Sequence, residues 1–417
     1  MRIVTRIREL GFPRQFWLLF WGMLLNTTGT SMVWPFMTIY LRERLGVPLT
    51  TVTLLMTLNS VAGLASVALV GPVVDRVGRK GAMVAGLAAG SAVLAAMSAA
   101  GTLPLWAFLM AAQGAVMPLY RVGADAMVAD LIPAGGRPNA YALLRMATNL
   151  GIAIGPSVGG FVAARSYSLA FCIGAAAMAA FALLILLLAR ETMPGKRSAT
   201  GHQPPAIENR GYGPVLRDRR FISFSALLTL ATIPAAMVMV LLPVYAKEQF
   251  GVSENRYGFI MATNAAMVVL FQYAVTQVSR RYRPVRVLAL GALLYAVGAG
   301  SVALGGSFPA FWISMVVLTL GELLLVPTAT ALTAALAPAE MRGRYMGVYN
   351  LVWGVSYGTG PVIGGLLSDR IAPVATWIGG LAIGLAASAG FAAMGRRTDA
   401  LTQTLNDRMG KVDRTAR

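Results

Sequence analysis

Glu322 lies inside an apolar run, residues 308–336, with Gly321 before it and Leu323-Leu324-Leu325-Val326 after it. No basic residue stands within one turn on its own helix. A carboxyl group removed from water is neutralised by a basic partner, by water or by a proton, and the proton needs no second residue. Proton carriage is therefore the chemistry this position suggests, with a hydrogen-bonded neutral acid of purely structural role as the alternative. Arg121 and Asp125 are spaced i, i+4 in another apolar run and can pair on one helix face. Arg145, in the following run, could join them. Two readings stay open: a self-neutralising network, or a cavity wall for an anionic or zwitterionic group, to which Asn149, Tyr349 and Trp353 could also contribute. A third cluster, Asp75, Arg76, Arg79 and Lys80, surrounds Gly78 between two apolar runs and starts at Gly71. Asp130 and Arg137 close the next loop on the same side, where Asp130 can latch to Arg76, Arg79 or Arg137.

The elements holding these groups must cross a bilayer. Of 417 residues, 57% are hydrophobic and only 12% charged, and the mean hydropathy is +0.67. A soluble chain carries about twice that charged fraction. Charge-poor runs long enough to span, about 20 residues each, fall near 15–41, 49–73, 81–100, 104–131, 138–164, 168–189, 221–246, 255–279, 286–304, 308–336, 344–367 and 372–394. This predicts an all-α membrane protein of twelve transmembrane helices. The basic N-terminus leads into a first run too long for the apolar core of a cleaved signal, so that run is expected to stay as a helix.

The net charge of +19 does not indicate nucleic acid, because its positions alternate along the chain. With the N-terminus inside, 27 of the 35 Lys and Arg residues fall on cytoplasmic segments, 6 on outer loops and 2 within the membrane. That asymmetry predicts a multi-pass protein of the cell membrane with both termini cytoplasmic.

Residues 191–220, rich in proline and basic residues, read as a cytoplasmic linker between an N-terminal half (1–190) and a C-terminal half (221–395), followed by a basic tail (396–417). The halves repeat at an offset of 205. Tyr40 matches Tyr245, Gly46-Val47 matches Gly251-Val252, Asn59 matches Asn264, Pro133 matches Pro338 and Arg137 matches Arg342. In the fifth span Gly151-x-x-x-Gly155-Pro156-x-x-Gly159-Gly160 is echoed by Gly360-Pro361 and Gly364-Gly365 in the eleventh. Two six-helix halves with a site between them is the arrangement of an alternating-access transporter. The small residues of the fifth span also make a helix-packing seam.

The Gly71–Lys80 pattern resembles the helix 2–3 loop motif of the major facilitator superfamily. The fifth-span glycines resemble the superfamily's antiporter motif. With Gly321-Glu322, Pro327, Ala337-Pro338 and Arg344-Tyr345-Met346-Gly347, the chain looks like the drug:proton antiporter branch, especially its LmrP-type multidrug exporters. The resemblance implies a 6+6 fold and export of amphipathic small molecules in exchange for protons. It also implies that Glu322 is the membrane acid of proton and drug binding, with Asp125 a second candidate, and that Asp75 and Asp130 belong to a cytoplasmic conformational switch. The chain departs from that pattern in several places. Arg145 stands where the relatives carry an acid, and the seventh span has no acid. The first span lacks a buried acid, the arginine often found ahead of Gln113-Gly114 is absent, and the second-half loop Ser279-Arg280-Arg281-Tyr282-Arg283-Pro284 keeps only positive charge.

Other classes are disfavoured by residue type. A single cysteine, Cys172, and a single histidine, His202, leave no disulfide, metal cluster or His-based triad. No Walker-type phosphate loop is present to use ATP. The expected partners are a small-molecule substrate, protons and the lipid bilayer, with the chain a monomer, without cofactor or metal, and not an enzyme. A facilitative or coupled carrier of a defined metabolite, and a lipid flippase, remain the alternatives.

Overall fold

The protein is described from a computed structural model, which covers residues 11–133, 135–193, 212–338 and 341–415, with side chains at 68, 138 and 397–415 excepted. His202 and most of the expected linker lie outside the described residues. Among the described residues all regular structure is helical. The helices are α1 (Arg14–Ser31), α2 (Met37–Leu45), α3 (Leu49–Val77), α4 (Arg79–Met97), α5 (Leu103–Leu131), α6 (Arg137–Ala163), α7 (Tyr167–Leu188), α8 (Gly213–Arg217), α9 (Arg219–Phe250), α10 (Glu254–Ser279), α11 (Pro284–Ser301), α12 (Phe308–Leu336), α13 (Arg342–Arg370) and α14 (Ala375–Thr415). Ten of these have the length and hydropathy of a membrane span. The other two of the twelve spans are the first, divided between α1 and α2, and α13, which begins with Arg342 and Arg344 and ends on Asp369 and Arg370.

One expectation is corrected, and two boundaries are drawn more finely. The first span is not one helix: α1 stops at Ser31 and Trp34–Phe36 forms a 3-10 turn. Pro35 explains the break, because it lacks an N–H and its ring crowds the preceding turn. The turn between the second and third spans is present and tighter than runs ending at 73 and resuming at 81 imply. Helix α3 runs through Gly71, Pro72, Asp75 and Arg76 as far as Val77, and α4 begins at Arg79. The loop is therefore the single residue Gly78, at φ 92° and ψ 160°, a conformation open only to glycine. Among the described residues of the linker segment, Gly213–Arg217 forms a short helical turn and Arg219 already belongs to α9.

Helix starts follow local chemistry. Proline occupies the first turn of α5, α6, α11 and α12, where its missing N–H has no intrahelical acceptor to lose. The Ser166 hydroxyl accepts the Leu169 N–H at 3.2 Å and caps α7. Asp218 caps α9, one oxygen accepting the N–H groups of Arg220 and Phe221 at 3.1 Å each while the other accepts the Tyr345 hydroxyl at 2.8 Å.

The chain divides into two compact units: the described residues within Met1–Asn209 with Val240–Ala266, and those within Arg210–Met239 with Met267–Arg417. In the first, α1 packs on α6 and α7, α3 on α5, and α4 on α5 and α7. Its core includes Phe16, Phe20, Leu87, Met127, Leu144 and Phe181. In the second, α11 packs on α12 and α14. Phe221, Phe224, Tyr345 and Phe391 form an aromatic column there, with centroid steps of 4.4, 6.2 and 6.4 Å.

Candidate functional site

The Gly78 turn is built as a charge-lined cap. Glu191, just after α7, accepts the N–H groups of Arg79 at 3.0 Å and Lys80 at 3.1 Å, the exposed donors of the first turn of α4. It also accepts from Thr192 at 2.9 Å and Met193 at 3.0 Å. Burial opposes its ionisation, yet these N–H groups outweigh burial and hold its carboxyl below the usual carboxylate range. A side chain at position 78 would run into that carboxylate. Arg79 sits between two acids, with Nη1 3.3 Å from Asp75 and Nε 3.1 Å from Asp130. Asp130 also accepts the Thr192 hydroxyl at 3.1 Å. Of the partners proposed for Asp130, Arg79 is the one that pairs. Arg137 turns instead to the last carbonyls of α5, at 2.7 Å from Ala129 O and 3.0 Å from Ile132 O. Arg76 is exposed and has no polar partner among the described residues, and a methyl group added at Gly71 would meet nothing within 4 Å.

The glycines of α6 form a seam. Gly151, Gly155 and Gly159 face Thr27–Met32 of the first span, and Gly160 faces the start of α10 at Glu254. A methyl group at 155 would lie 2.6 Å from Ser31 Cβ and 2.7 Å from the Thr28 carbonyl oxygen. Pro156, within the helix, places its carbonyl oxygen against Gly258 of α10. This arrangement lets backbones approach closely, as small residues do between membrane helices.

Arg121 and Asp125 both lie exposed on α5 and interact electrostatically, but no ion pair forms between them within 4 Å among the described residues. The i, i+4 pairing expected of them is thus corrected: the positions share a face, but the side chains do not close on one another. Arg145 and Asn149 are exposed on α6, and Arg145 has no hydrogen-bond or ion-pair partner among the described residues. Tyr141, one turn before Arg145, donates its hydroxyl to the Asp125 carbonyl oxygen at 3.0 Å. The result is an exposed polar stripe, not a closed network.

Glu322 is half-buried on α12. Directly before it, Gly321 lies against α11, where a methyl group would be 2.8 Å from the Gly291 carbonyl oxygen and 2.9 Å from the Tyr295 ring. That close crossing brings Tyr295, 2% exposed, within electrostatic reach of the Glu322 carboxylate, and Tyr357 of α13 is within reach as well. Tyr349 is buried on α13, shares a hydrogen bond with the Thr330 hydroxyl at 2.9 Å and meets Trp353 edge-on at 6.5 Å. Beside this group, the Gln272 amide donates to the Leu323 carbonyl oxygen at 3.0 Å. The Glu322 carboxyl group and a set of tyrosines thus share this part of the second unit, a combination able to exchange a proton or face an organic cation.

A cluster the sequence reading passed over lies at the helix ends opposite Gly78. Arg42 makes a two-pronged contact with Glu248, Nε–Oε1 at 2.9 Å and Nη2–Oε2 at 3.1 Å. Lys247 pairs with Glu43, also pairs with Glu254, and donates to the Tyr167 hydroxyl at 3.1 Å. Tyr167 in turn donates to Glu254. Arg42 and Lys247, and likewise Glu43 and Glu248, are separated by the repeat offset of 205. The two ion pairs are therefore reciprocal. The backbone repeats with them: Gly46 at φ 62° and Gly251 at φ 64° end the two matching helices. That offset was the signal that could have found the pairs.

A chain of tandem helical bundles, with a half-buried acid at Glu322 and an arginine-bearing stripe on its membrane helices, has the architecture of a secondary transporter. Family comparison makes this specific. The sequence model of the Major Facilitator Superfamily matches residues 19–236 and 224–411, and the chain belongs to that superfamily. Among its relatives, an uncharacterized MFS-type transporter, YttB, of Bacillus subtilis is 27% identical over 86% of this chain and 89% of the relative. Multidrug resistance protein MdtH of Edwardsiella ictaluri is 27% identical over 88% and 89%. A Na(+), Li(+), K(+)/H(+) antiporter of Planococcus maritimus is 26% identical over 86% and 88%. Among solved structures, nucleoside transporter NupG superposes with a TM-score of 0.76 at 14% identity, covering 90% of this chain and 99% of that one. A POT family transporter does so at 0.74 and 18%, covering 94% and 97%. Those two likenesses show the fold alone. The chain is a multi-pass membrane transporter.

Proposed function

We propose that this transporter is a proton-coupled exporter of amphipathic small molecules, organic cations foremost, working by alternating access in the cell membrane with both termini cytoplasmic. The observation carrying this reading is the placement of Glu322 in the apolar helix α12 with Tyr295 and Tyr357 around it. A carboxyl group in such surroundings alternates between a neutral, protonated form and an anion that attracts a cation, and tyrosine faces add cation–π attraction. Binding of substrate and proton then compete for one group, which is the elementary requirement of exchange. The relatives named for multidrug resistance and for cation/proton antiport support the direction of this reading.

On this reading Asp75, Arg76, Gly78, Arg79, Lys80, Asp130 and Arg137 form the cytoplasmic switch, with Glu191 as its anchor. The reciprocal pairs at the opposite helix ends form its outer counterpart. The stripe of Arg121, Asp125, Arg145 and Asn149 favours a second reading, a carrier of anionic metabolites, because charge exposed on a membrane helix must face water and Arg145 has no partner among the described residues. Thermal-shift screening of the purified protein against cationic dyes, antibiotics, sugars and organic anions decides between them. The first reading requires stabilisation by cations that Glu322→Gln abolishes; stabilisation by anions alone, removed by Arg145→Ala, establishes the second.

A further inference from the structure

Between α10 and α11 the second unit holds a cavity of about 520 Å³ that none of the transport chemistry above uses. Its walls are Ala274, Val275, Val278, Val287 and Leu290, and Leu324 of α12 also lines it. Polarity is confined to one end, where Ser279, Tyr282 and Arg286 stand at the turn joining the two helices. That turn carries Arg280, Arg281 and Arg283, all exposed like Arg286. No carboxylate pairs with Arg280 or Arg281 among the described residues.

Position 75, the acid that meets Arg79, becomes Arg280 at the repeat offset, and Gly78 becomes Arg283. The first-half turn thus contains its own anions, Asp75, Asp130 and Glu191, whereas its second-half counterpart has exchanged an acid for a base. An anion from outside the chain fits there. The groove supplies the remaining specification. From the turn at Tyr282 and Arg286 it follows α10 from Ser279 back to Ala274, a rise of about 8 Å, with a basic mouth and a wholly apolar shaft. Helix α10 also exposes apolar side chains beyond the groove, Val269 (67%) and Leu270 (69%), as a lipid-facing helix does. A polar anion attached to a hydrocarbon chain matches both parts at once.

We infer that this groove is a binding site for an anionic phospholipid of the leaflet at the Gly78 end, its phosphate held by Arg280, Arg281 and Arg286 and one acyl chain lying along Val275, Val278 and Leu290. The site rests on the membrane orientation proposed above only for which leaflet supplies the lipid. The basic tail of the chain itself is a poor occupant, because its charge has the same sign as the mouth.

The test is lipid retention, read without any transport assay. The full chain is reconstituted in nanodiscs of phosphatidylcholine with phosphatidylglycerol, released into neutral detergent, and its bound lipid quantified by native mass spectrometry. The expected result is one phosphatidylglycerol retained in preference to phosphatidylcholine. Each arginine near a membrane surface contributes about fivefold to anion affinity, so the triple variant Arg280→Gln/Arg281→Gln/Arg286→Gln weakens retention on the order of a hundredfold. Leu290→Trp, which fills the shaft and leaves the charges intact, must weaken it too. Equal retention of both lipids, or loss in the arginine variant with none in Leu290→Trp, overturns the site, the latter indicating charge attraction alone. Displacement of the lipid by glycerol 3-phosphate as effectively as by phosphatidylglycerol overturns it as well. Since no transport is measured, a failure of the exporter reading leaves this result interpretable.

Discussion

Removing the carboxylate of Glu191 should loosen the switch at Gly78 without touching the proposed transport chemistry. Two of its four N–H partners, Arg79 and Lys80, are helix-start donors with no intrahelical acceptor. Loss of such a cap costs about 1 kcal/mol, within a range of roughly 0.5–2. The side chain is exposed, so screening limits the purely ionic part to about 0.5 kcal/mol. Glu191→Ala is therefore expected to lose about 1.5 kcal/mol, a fall of roughly 3–6 °C in apparent melting temperature for a unit of this size. The assay is thermal unfolding in detergent at a fixed scan rate, because such unfolding is seldom reversible. Glu191→Gln should fall between the two, since it keeps one acceptor but points an amide at the Lys80 N–H. The pH dependence follows from the depressed carboxyl. Its stabilisation is complete above the ordinary carboxylate value of about 4.3 and is lost as pH falls from there through the lowered value. The gap between wild type and Glu191→Ala should thus stay constant from pH 8 to about pH 5 and narrow below. A variant as stable as wild type at pH 7, or a gap that widens in acid, refutes the cap.

Three further outcomes follow. Gly155→Ala places a methyl group 2.6 Å from Ser31 Cβ, so it should cost about 1–3 kcal/mol and slow transport of every substrate alike, read by thermal stability and efflux; a change confined to proton coupling contradicts a packing role. Lys247 serves Glu43, Glu254 and Tyr167, whereas Arg42 serves Glu248 at a more open site, so Lys247→Met should destabilise by about 2 kcal/mol and Arg42→Met by less than about 1. Glu254 is the deeper charge of the cluster, only 7% exposed, and equal losses in those two melting temperatures would contradict its weight. Arg145→Ala, removing an exposed side chain that makes no polar contact among the described residues, should shift stability by under about 0.5 kcal/mol and weaken only anionic ligands; a broad loss of stability shows that it holds the fold.

Much of this was legible from the amino-acid order because a membrane span must be long and nearly uncharged, and that constraint leaves little freedom. The starts of α5, α7 and α12 fall within a residue of the expected runs for that reason. Pro35 was visible but its consequence was not, since a proline inside a membrane helix kinks in some settings and breaks in others. The Gly71–Lys80 segment reads as a loop from its charge, yet a helix end projecting from a bilayer accepts charge freely, so only Gly78 departs from helix. Glu191 escaped notice because its helix-start partners lie 111 and 112 residues away. The Lys247 cluster is visible only when the 205-residue offset is applied to charged positions, where Arg42 aligns with Lys247 and Glu43 with Glu248. For Arg121 and Asp125, spacing shows a shared face but not a closed pair.

Uphill transport by Glu322→Gln in proteoliposomes tests the central claim most directly. The protein is reconstituted with a fluorescent organic cation on both sides, and a pH difference is then imposed. Wild type should concentrate the cation against its gradient. The Gln variant, fixed in the neutral form, should accumulate none while still passing a neutral substrate downhill. Undiminished, pH-driven accumulation by Glu322→Gln would contradict the account and place coupling on another acid, Asp125 first.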